Sequence, residues 1–217
     1  VELTGIGLYT FGEASKLTRI PVRNLRRWLE GHAERHGTRG TSVYSPPLWT
    51  SELAGELSGM SFHDLLESRF VQAFRRHGVS LQAIRAASRR ARELFGMPYP
   101  FTSRRFQTDG RTLFASAPGQ AGQRYAFNRL IEPSLYCGIE FDQHDAAMRW
   151  YPTPDKAIVL DPKVAFGKPI VTGVNVRTSI LHDAFVAEGN KSTVAALYEV
   201  PLAAVNAAVA FEEGVAA

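Results

Sequence analysis

The sequence predicts an α+β protein in three parts: an N-terminal winged helix-turn-helix with following helices over residues 1–97, a small β-rich middle region with an antiparallel sheet over 98–166, and a C-terminal helix-turn-helix-like helical module over 167–217. Three observations carry this. Residues 9–31 read as two short amphipathic helices joined by a tight turn; from Pro98 onward proline and glycine punctuate short aromatic and β-branched segments; after Gly167 helical spacing returns, rich in alanine.

Thr10 and Glu13 stand three apart, as a capping box requires, so the first helix begins near Phe11. Ala14 and Leu17 give it an apolar face. Ile20 fills the turn and faces inward, and Pro21 takes the favoured first position of the second helix, where its missing N–H costs nothing. Val22, Leu25, Trp28 and Leu29 then form a buried stripe, which leaves Arg23, Asn24 and Arg27 pointing outward and Arg26 at the edge. Arginine and asparagine on the early exposed turns of such a helix are the side chains that fork onto guanine and adenine edges or clamp phosphates. Arginines outnumber lysines 20 to 5, and any short amphipathic helix in such a chain shows some of this pattern. The capped two-helix layout therefore carries the DNA reading, not the charge alone.

Residues 31–49, rich in Gly, Thr and Ser with Val43 and Tyr44 before a double proline, read as a small hairpin or wing. Arg35, His36 and Arg39 are available there for phosphates, although unrelated surface loops carry arginines too. A helical region is expected to begin over 53–57. Ser61 and Asp64 start a helix in which Leu65, Leu66, Phe70 and Phe74 repeat at helical spacing until Gly78. Ser80 caps the next, with Leu81, Ile84, Ala87, Ala91 and Leu94 as its apolar stripe. Arg85, Arg89, Arg90 and Arg92 lie on the other face, as a solvated surface or an extension of a DNA footprint. His63 and His77 read as surface or cap residues.

The segments TLFASA, RYAF, CGIEFD, MRWYP and AIVLD favour strands and predict a small antiparallel sheet between Thr112 and Val171. Phe127, Tyr136, Phe141, Trp150 and Tyr151 either form its core or line a ligand pocket. Asp142, His144 and Asp145 read as a polar turn. Further on, Thr178 or Ser179 caps a helix over 180–188, Asn190 and Ser192 introduce 193–198, and Pro201 starts 202–212. The last helix contains no lysine or arginine, and the chain has none after Lys191, a poor fit to a phosphate groove. Its alanines permit close packing. Leu202, Val205, Ala208 and Val209 are the expected self-association or partner face, with intramolecular core as the equal alternative.

No run approaches the roughly 18 apolar residues of a membrane span, and no signal-peptide pattern opens the chain, so a cytoplasmic location without membrane contact is expected. A single cysteine, Cys137, excludes an internal disulfide and argues against a structural zinc site. No nucleophile–base pair or ligand set supports an enzyme, a metal or a cofactor. Charge is unevenly shared: residues 1–111 hold 17 basic and 10 acidic side chains, and residues 112–217 hold 8 and 11. The first half suits a polyanion.

The stretch TFGEASKLTRIPVRNLRRWL resembles the N-terminal helix-turn-helix of MerR-type regulators, whose second helix ends in Leu-Arg and an aromatic, here Leu25, Arg26 and Trp28. RHGTRGTSVYSPP is similar to the MerR wing, onto which Arg39 and Tyr44 carry over. The tail, with Pro169 to Gly173 opening it and alanines closing it, resembles a short domain common in VapB-type antitoxins. Together these resemblances imply the antitoxin of a VapBC-type toxin–antitoxin pair: a dimeric repressor that binds its own operator DNA and neutralises a PIN-domain ribonuclease toxin. On this reading Arg23, Asn24 and Arg27 enter the major groove, Lys16, Arg19 and Arg26 hold phosphates, and Arg39 and Tyr44 flank them. Arg149 and Arg177 are the candidate toxin contacts, as cations able to pair with the carboxylates of a nuclease cleft. The alternative is a MerR-like, ligand-responsive transcriptional regulator.

Overall fold

Two hydrophobic cores organise the chain. A computed structural model describes residues 5–36, 41–107 and 133–216. The first core runs from Tyr9 to Leu160 and the second from Ile158 to Val209. Tyr99, Phe101, Phe106, Tyr136, Ile139, Ala147 and Trp150 pack in the same cluster as the N-terminal helices. Residues on both sides of the expected boundary at residue 98 thus share one core cluster.

Helix α1 (Phe11–Thr18) starts at a complete capping box: the Glu13 amide donates to Thr10 Oγ1 at 3.2 Å, and Glu13 Oε2 accepts from the Thr10 amide at 2.8 Å. Arg19 turns the chain in a left-handed conformation (φ 57°), and Ile20 is fully buried. Helix α2 (Val22–Glu30) follows, with Pro21 as its cap residue and not its first helical position. Leu25, Trp28 and Leu29 are buried as expected, but Val22 is exposed. Ile20 already occupies the contact next to α1, so the buried stripe starts one turn later.

Gly31 ends α2 with φ 74°, and a Cβ there would lie 2.7 Å from the Ser45 carbonyl. Only glycine lets the helix pass this closely into the hairpin of β1 (His32–His36) and β2 (Thr41–Ser45), which pair antiparallel with His32 opposite Ser45 and His36 opposite Thr41. Residues 53–57 form turns and no helix, a correction that follows from Gly55 at φ 85°. Helix α3 (Phe62–Arg76) begins at the capping box of Ser61 and Asp64, and α4 (Leu81–Phe95) at Ser80. The buried face of α4 is Ile84, Ala87, Ser88 and Ala91, whereas Leu94 is exposed.

Glu67, on α3, is fully buried, with the Phe101 and Thr102 amides 3.4 and 3.2 Å from its two oxygens. Burial pushes its carboxyl up to about 8, against those hydrogen bonds and the Arg92 charge, which pull it down. The folded chain therefore holds a proton that the unfolded chain releases above its ordinary value near 4.5, so this contribution to stability is complete below that pH and is lost as pH rises through about 8. Glu67→Gln removes the charge, but it places a donor-only NH2 against one of the two backbone amides from which the Glu67 oxygens accept. It is expected to be less stable than the parent at pH 5 and to lack the parent's loss of stability, on the order of a few kcal/mol, as pH rises through about 8, as thermal melts across that range will read.

Beyond α5 (Pro133–Tyr136), strands β3 (Ile139–Phe141) and β4 (Ala147–Trp150) form one antiparallel ribbon, and β5 (Ile158–Val159) and β6 (Ile170–Val171) another. A single antiparallel bridge between Trp150 and Leu160 joins them. The expected sheet is thus two short ribbons. Its TLFASA and RYAF segments, with Phe127, lie outside the described residues. Tyr136 and Trp150 are buried: the Tyr136 ring meets Phe70 edge-on at 4.9 Å and its hydroxyl donates to the Phe101 carbonyl at 2.9 Å. Phe141 packs against the same core. These aromatics form core and not a ligand pocket. Asp142 makes a polar turn by accepting from the His144 and Ala146 amides, and Asp145 pairs with Arg104 and Arg105.

In the C-terminal module, α6 (Thr178–Glu188), α7 (Lys191–Leu197) and α8 (Leu202–Ala216) enclose the second core. Asn190 caps α7 through the Ser192 and Thr193 amides, as the sequence suggests. Neither Thr178 nor Ser179 caps α6. Arg177 holds the cap position without a side-chain bond, because buried Thr178 spends its hydroxyl across the core on the Glu212 carboxylate. Val205, Ala208 and Val209 are buried against Leu181 and Val194 of the same chain, which corrects their expected role as an interface. Only Leu202 of that set is exposed. Among the described residues no single helix is long and apolar enough to cross a membrane; α7 and α8 reach that composition only as a pair bent by 117°.

Candidate nucleic-acid interface

Burial of Leu25, Trp28 and Leu29 against the first core turns the opposite face of α2 outward. Arg23, Arg26 and Arg27 are exposed there, and Asn24 is half-buried. The guanidinium of Arg26 lies 4.7 Å above the Phe11 ring and 3.5 Å from Glu30, so it runs along the seam between the two helices. Arg27 Nη2 stands 2.6 Å from His32 Nε2 at the root of the hairpin.

The hairpin itself is braced from three directions. The Tyr44 hydroxyl donates to the Glu30 carbonyl at 3.4 Å while its ring stays 61% exposed. The Leu48 amide donates to the Trp28 carbonyl at 2.8 Å. From α4, Arg85 donates to the Pro46 carbonyl at 2.6 Å and Arg92 to the Leu48 carbonyl at 3.1 Å. Two of the four arginines on α4 are therefore struts under the hairpin. Of the other two, Arg90 pairs with Glu93 at 3.7 Å and Arg89 is exposed. Arg39 lies outside the described residues.

Lys16 and Arg19 turn away from the exposed face of α2, toward the C-terminal module. Arg19 Nη2 donates to the Gly214 carbonyl at 2.9 Å. Carbonyls in the last turn of a helix lack internal partners and carry the negative end of its dipole, so a cation settles there. Lys16 lines a cleft between α1 and α8. The two modules meet further through Lys168 Nζ on Glu13 Oε1 at 2.5 Å, the Tyr9 hydroxyl on the Gly167 carbonyl at 2.5 Å and the Leu8 amide on the Phe166 carbonyl at 2.9 Å. Arg19 thus engages the C-terminal module, and Lys16 lies at the cleft beside it.

Arg149 is likewise engaged, 2.6 Å from Asp161 and 3.9 Å from Glu140. The Asp161 carboxylate holds its guanidinium above the usual range. Arg177 is exposed.

One residue was missed by sequence reasoning. His63 is no surface or cap residue: it lies 3.0 Å from Glu52 and 3.0 Å from the Ala147 carbonyl, and stacks on Tyr99. Burial pulls its pKa down, but the Glu52 carboxylate and the Ala147 carbonyl outweigh that and leave it above the ordinary value. It ties α3 to the 51–57 turn and to β4, partners that no local spacing could reveal.

Comparison with known proteins agrees with this geometry. Residues 7–88, covering α1, α2, the hairpin, α3 and part of α4, match the family described as "Putative DNA-binding HTH domain". The protein named "Putative antitoxin VapB45" of Mycobacterium tuberculosis (strain ATCC 25618 / H37Rv) is 28% identical over 194 residues, which cover 80% of this chain and 80% of that protein. The crystal structure of Rv2018 from Mycobacterium tuberculosis shares the fold, with a TM-score of 0.67 over 95% of this chain and 99% of that one at 23% identity. The chain is thus a mixed helical protein with small antiparallel ribbons, whose N-terminal helix-turn-helix matches a family described as a DNA-binding domain and exposes three arginines. Over most of its length the chain is similar to a protein named as a putative VapB antitoxin, and its N-terminal part to a helix-turn-helix domain.

Proposed function

We propose that the chain is an operator-binding antitoxin: it represses its own transcription as a homodimer in the cytoplasm and neutralises a PIN-domain ribonuclease toxin. The observation that carries the reading is the exposed Arg23, Arg26 and Arg27 face of a capped, buried-backed helix, with a braced hairpin directly after it. In this proposal Arg23, Asn24 and Arg27 read base edges in the major groove, Arg26 holds a phosphate from the helix seam, and the hairpin is a MerR-like wing whose Tyr44 flanks the site. A two-fold dimer then requires a palindromic operator.

The partner face in this proposal is the exposed apolar set at the α7–α8 elbow, Leu197, Tyr198 and Leu202, with exposed Arg177 as the candidate cation for the toxin. Exposed apolar side chains suit protein contact better than a phosphate backbone. Co-expression with a PIN-domain toxin encoded beside it tests this. A stable complex is expected to co-purify, and Leu197→Asp with Leu202→Asp is expected to weaken it at least tenfold while operator binding by the free protein persists. A free homodimer that ignores that toxin would sink the antitoxin reading.

A further inference from the structure

Between α1 and the C-terminal module lies a cleft of about 210 Å³. Leu17, Pro169, Phe211 and Val215 give it an apolar lining. Its charged groups are Lys16, Lys168 and Arg177 against Glu13 and Glu212. Glu13 is paired with Lys168 and accepts from Thr10, while Glu212 accepts only from the neutral Thr178 hydroxyl and keeps its charge, so the lining still carries one more positive than negative charge. Lys168 is spent on Glu13. Lys16 and Arg177 are both exposed, and among the described residues neither forms an ion pair. Arg177 also sits where α6 begins without a side-chain cap, and the exposed Ser179 follows in its first turn.

Two unengaged cations beside an apolar lining form a receptor for an anion with an apolar body. A guanidinium binds a carboxylate by two parallel hydrogen bonds, and the start of a helix adds favourable potential. The volume lies below the roughly 300 Å³ at which drug-sized pockets begin, so the body is small. We propose that this cleft binds a small carboxylic acid with an aromatic or branched apolar body, its carboxylate between Lys16 and Arg177 and its body against Leu17 and Phe211. One wall belongs to the helix-turn-helix and the other to the C-terminal module, so the acid bridges the two across the Arg19–Gly214 and Glu13–Lys168 contacts. Whatever effect it has on operator affinity, operator DNA must return on its own affinity. That coupling rests on the operator-binding reading; the binding of the acid does not.

Benzoate and benzyl alcohol, which share a ring and differ in charge, are titrated into the full chain without DNA at constant ionic strength, by calorimetry and by NMR. Benzoate is expected to bind saturably, at least tenfold more tightly than the alcohol, with contacts from its ring protons to Phe211 and Leu17. The preference is expected to vanish in Lys16→Gln with Arg177→Gln and to survive in Arg89→Gln. Equal binding of the two probes by the parent chain, which requires no variant, overturns the proposal, as does a benzoate preference that persists in the double variant. Saturating benzoate is then expected to change operator affinity at least threefold. Unchanged affinity overturns the coupling and leaves the site standing; a chain that binds benzoate but no operator overturns the operator-binding reading instead.

Discussion

Replacing Arg23 and Arg27 together by alanine is expected to abolish sequence-specific operator binding while toxin neutralisation survives. Both side chains lie on the exposed face of α2, opposite Leu25, Trp28 and Leu29. A bidentate arginine–base contact contributes about 1–3 kcal/mol of discrimination, so the pair should cost roughly 30- to 10⁴-fold in specific affinity. The melting temperature should move by no more than roughly 2 °C, because neither residue supports the core. Gel shifts at a fixed salt concentration, with a toxin-activity assay on the same preparation, provide the check. Equal loss of both activities would show that the roles are not separable. A variant that binds the operator like the parent would remove α2 as the reading helix.

Asp64→Ala is expected to destabilise the fold by roughly 3–5 kcal/mol, as an uncompensated loss within a buried polar network does. Asp64 is fully buried at the start of α3. Its two oxygens accept from Trp49 Nε1 at 2.7 Å, Ser51 Oγ at 2.5 Å, the Ser61 amide at 2.9 Å and the Tyr99 hydroxyl at 3.0 Å. Burial raises its pKa and these four bonds oppose the rise. Alanine leaves three buried donors, on Trp49, Ser61 and Tyr99, and the half-buried Ser51 hydroxyl without an acceptor, and removes half of a capping box. The loss should spread to the hairpin, since Trp49 directly follows the Leu48 that is bonded to Trp28. Chemical denaturation measures the first effect, and hydrogen exchange of the 41–49 amides measures the second. A stability within 1 kcal/mol of the parent would mean that the network reorganises around the loss.

Local physics made much of this chain legible. The capping boxes at Thr10–Glu13 and Ser61–Asp64, and the caps at Ser80 and Asn190, are short-range bonds whose partners are two to three residues away, so spacing alone announces them. The same holds for the buried stripe of α2 from Leu25 onward. Expectations failed where a distant partner claimed the residue. Thr178 does not cap α6 because Glu212 takes its hydroxyl. Arg19 meets the carbonyl of Gly214, 195 residues away, a partner that no local spacing announces. Val205, Ala208 and Val209 have the composition of an interface, but Leu181 and Val194 already cover them.

Charge followed the same division. The arginines of α4 read as a uniform basic face, yet Arg85 and Arg92 are hairpin struts and Arg90 is paired with a glutamate on its own helix. Composition counts such residues alike. Position relative to backbone carbonyls separates them.

By itself the sequence determined where α1, α3, α4 and α7 start, which face of α2 is buried from Leu25 onward, and that its arginines point outward, because caps and amphipathic spacing act within a few residues. Tertiary structure alone decided that Tyr99, Phe101, Phe106, Tyr136 and Trp150 share a core with the helix-turn-helix, and that α1 is clamped to the C-terminal module. It alone also decided which cations remain unengaged. The physical reason is common to all three: burial and ion pairing depend on groups brought together from opposite ends of the chain, and no local pattern records which of several equivalent partners will arrive.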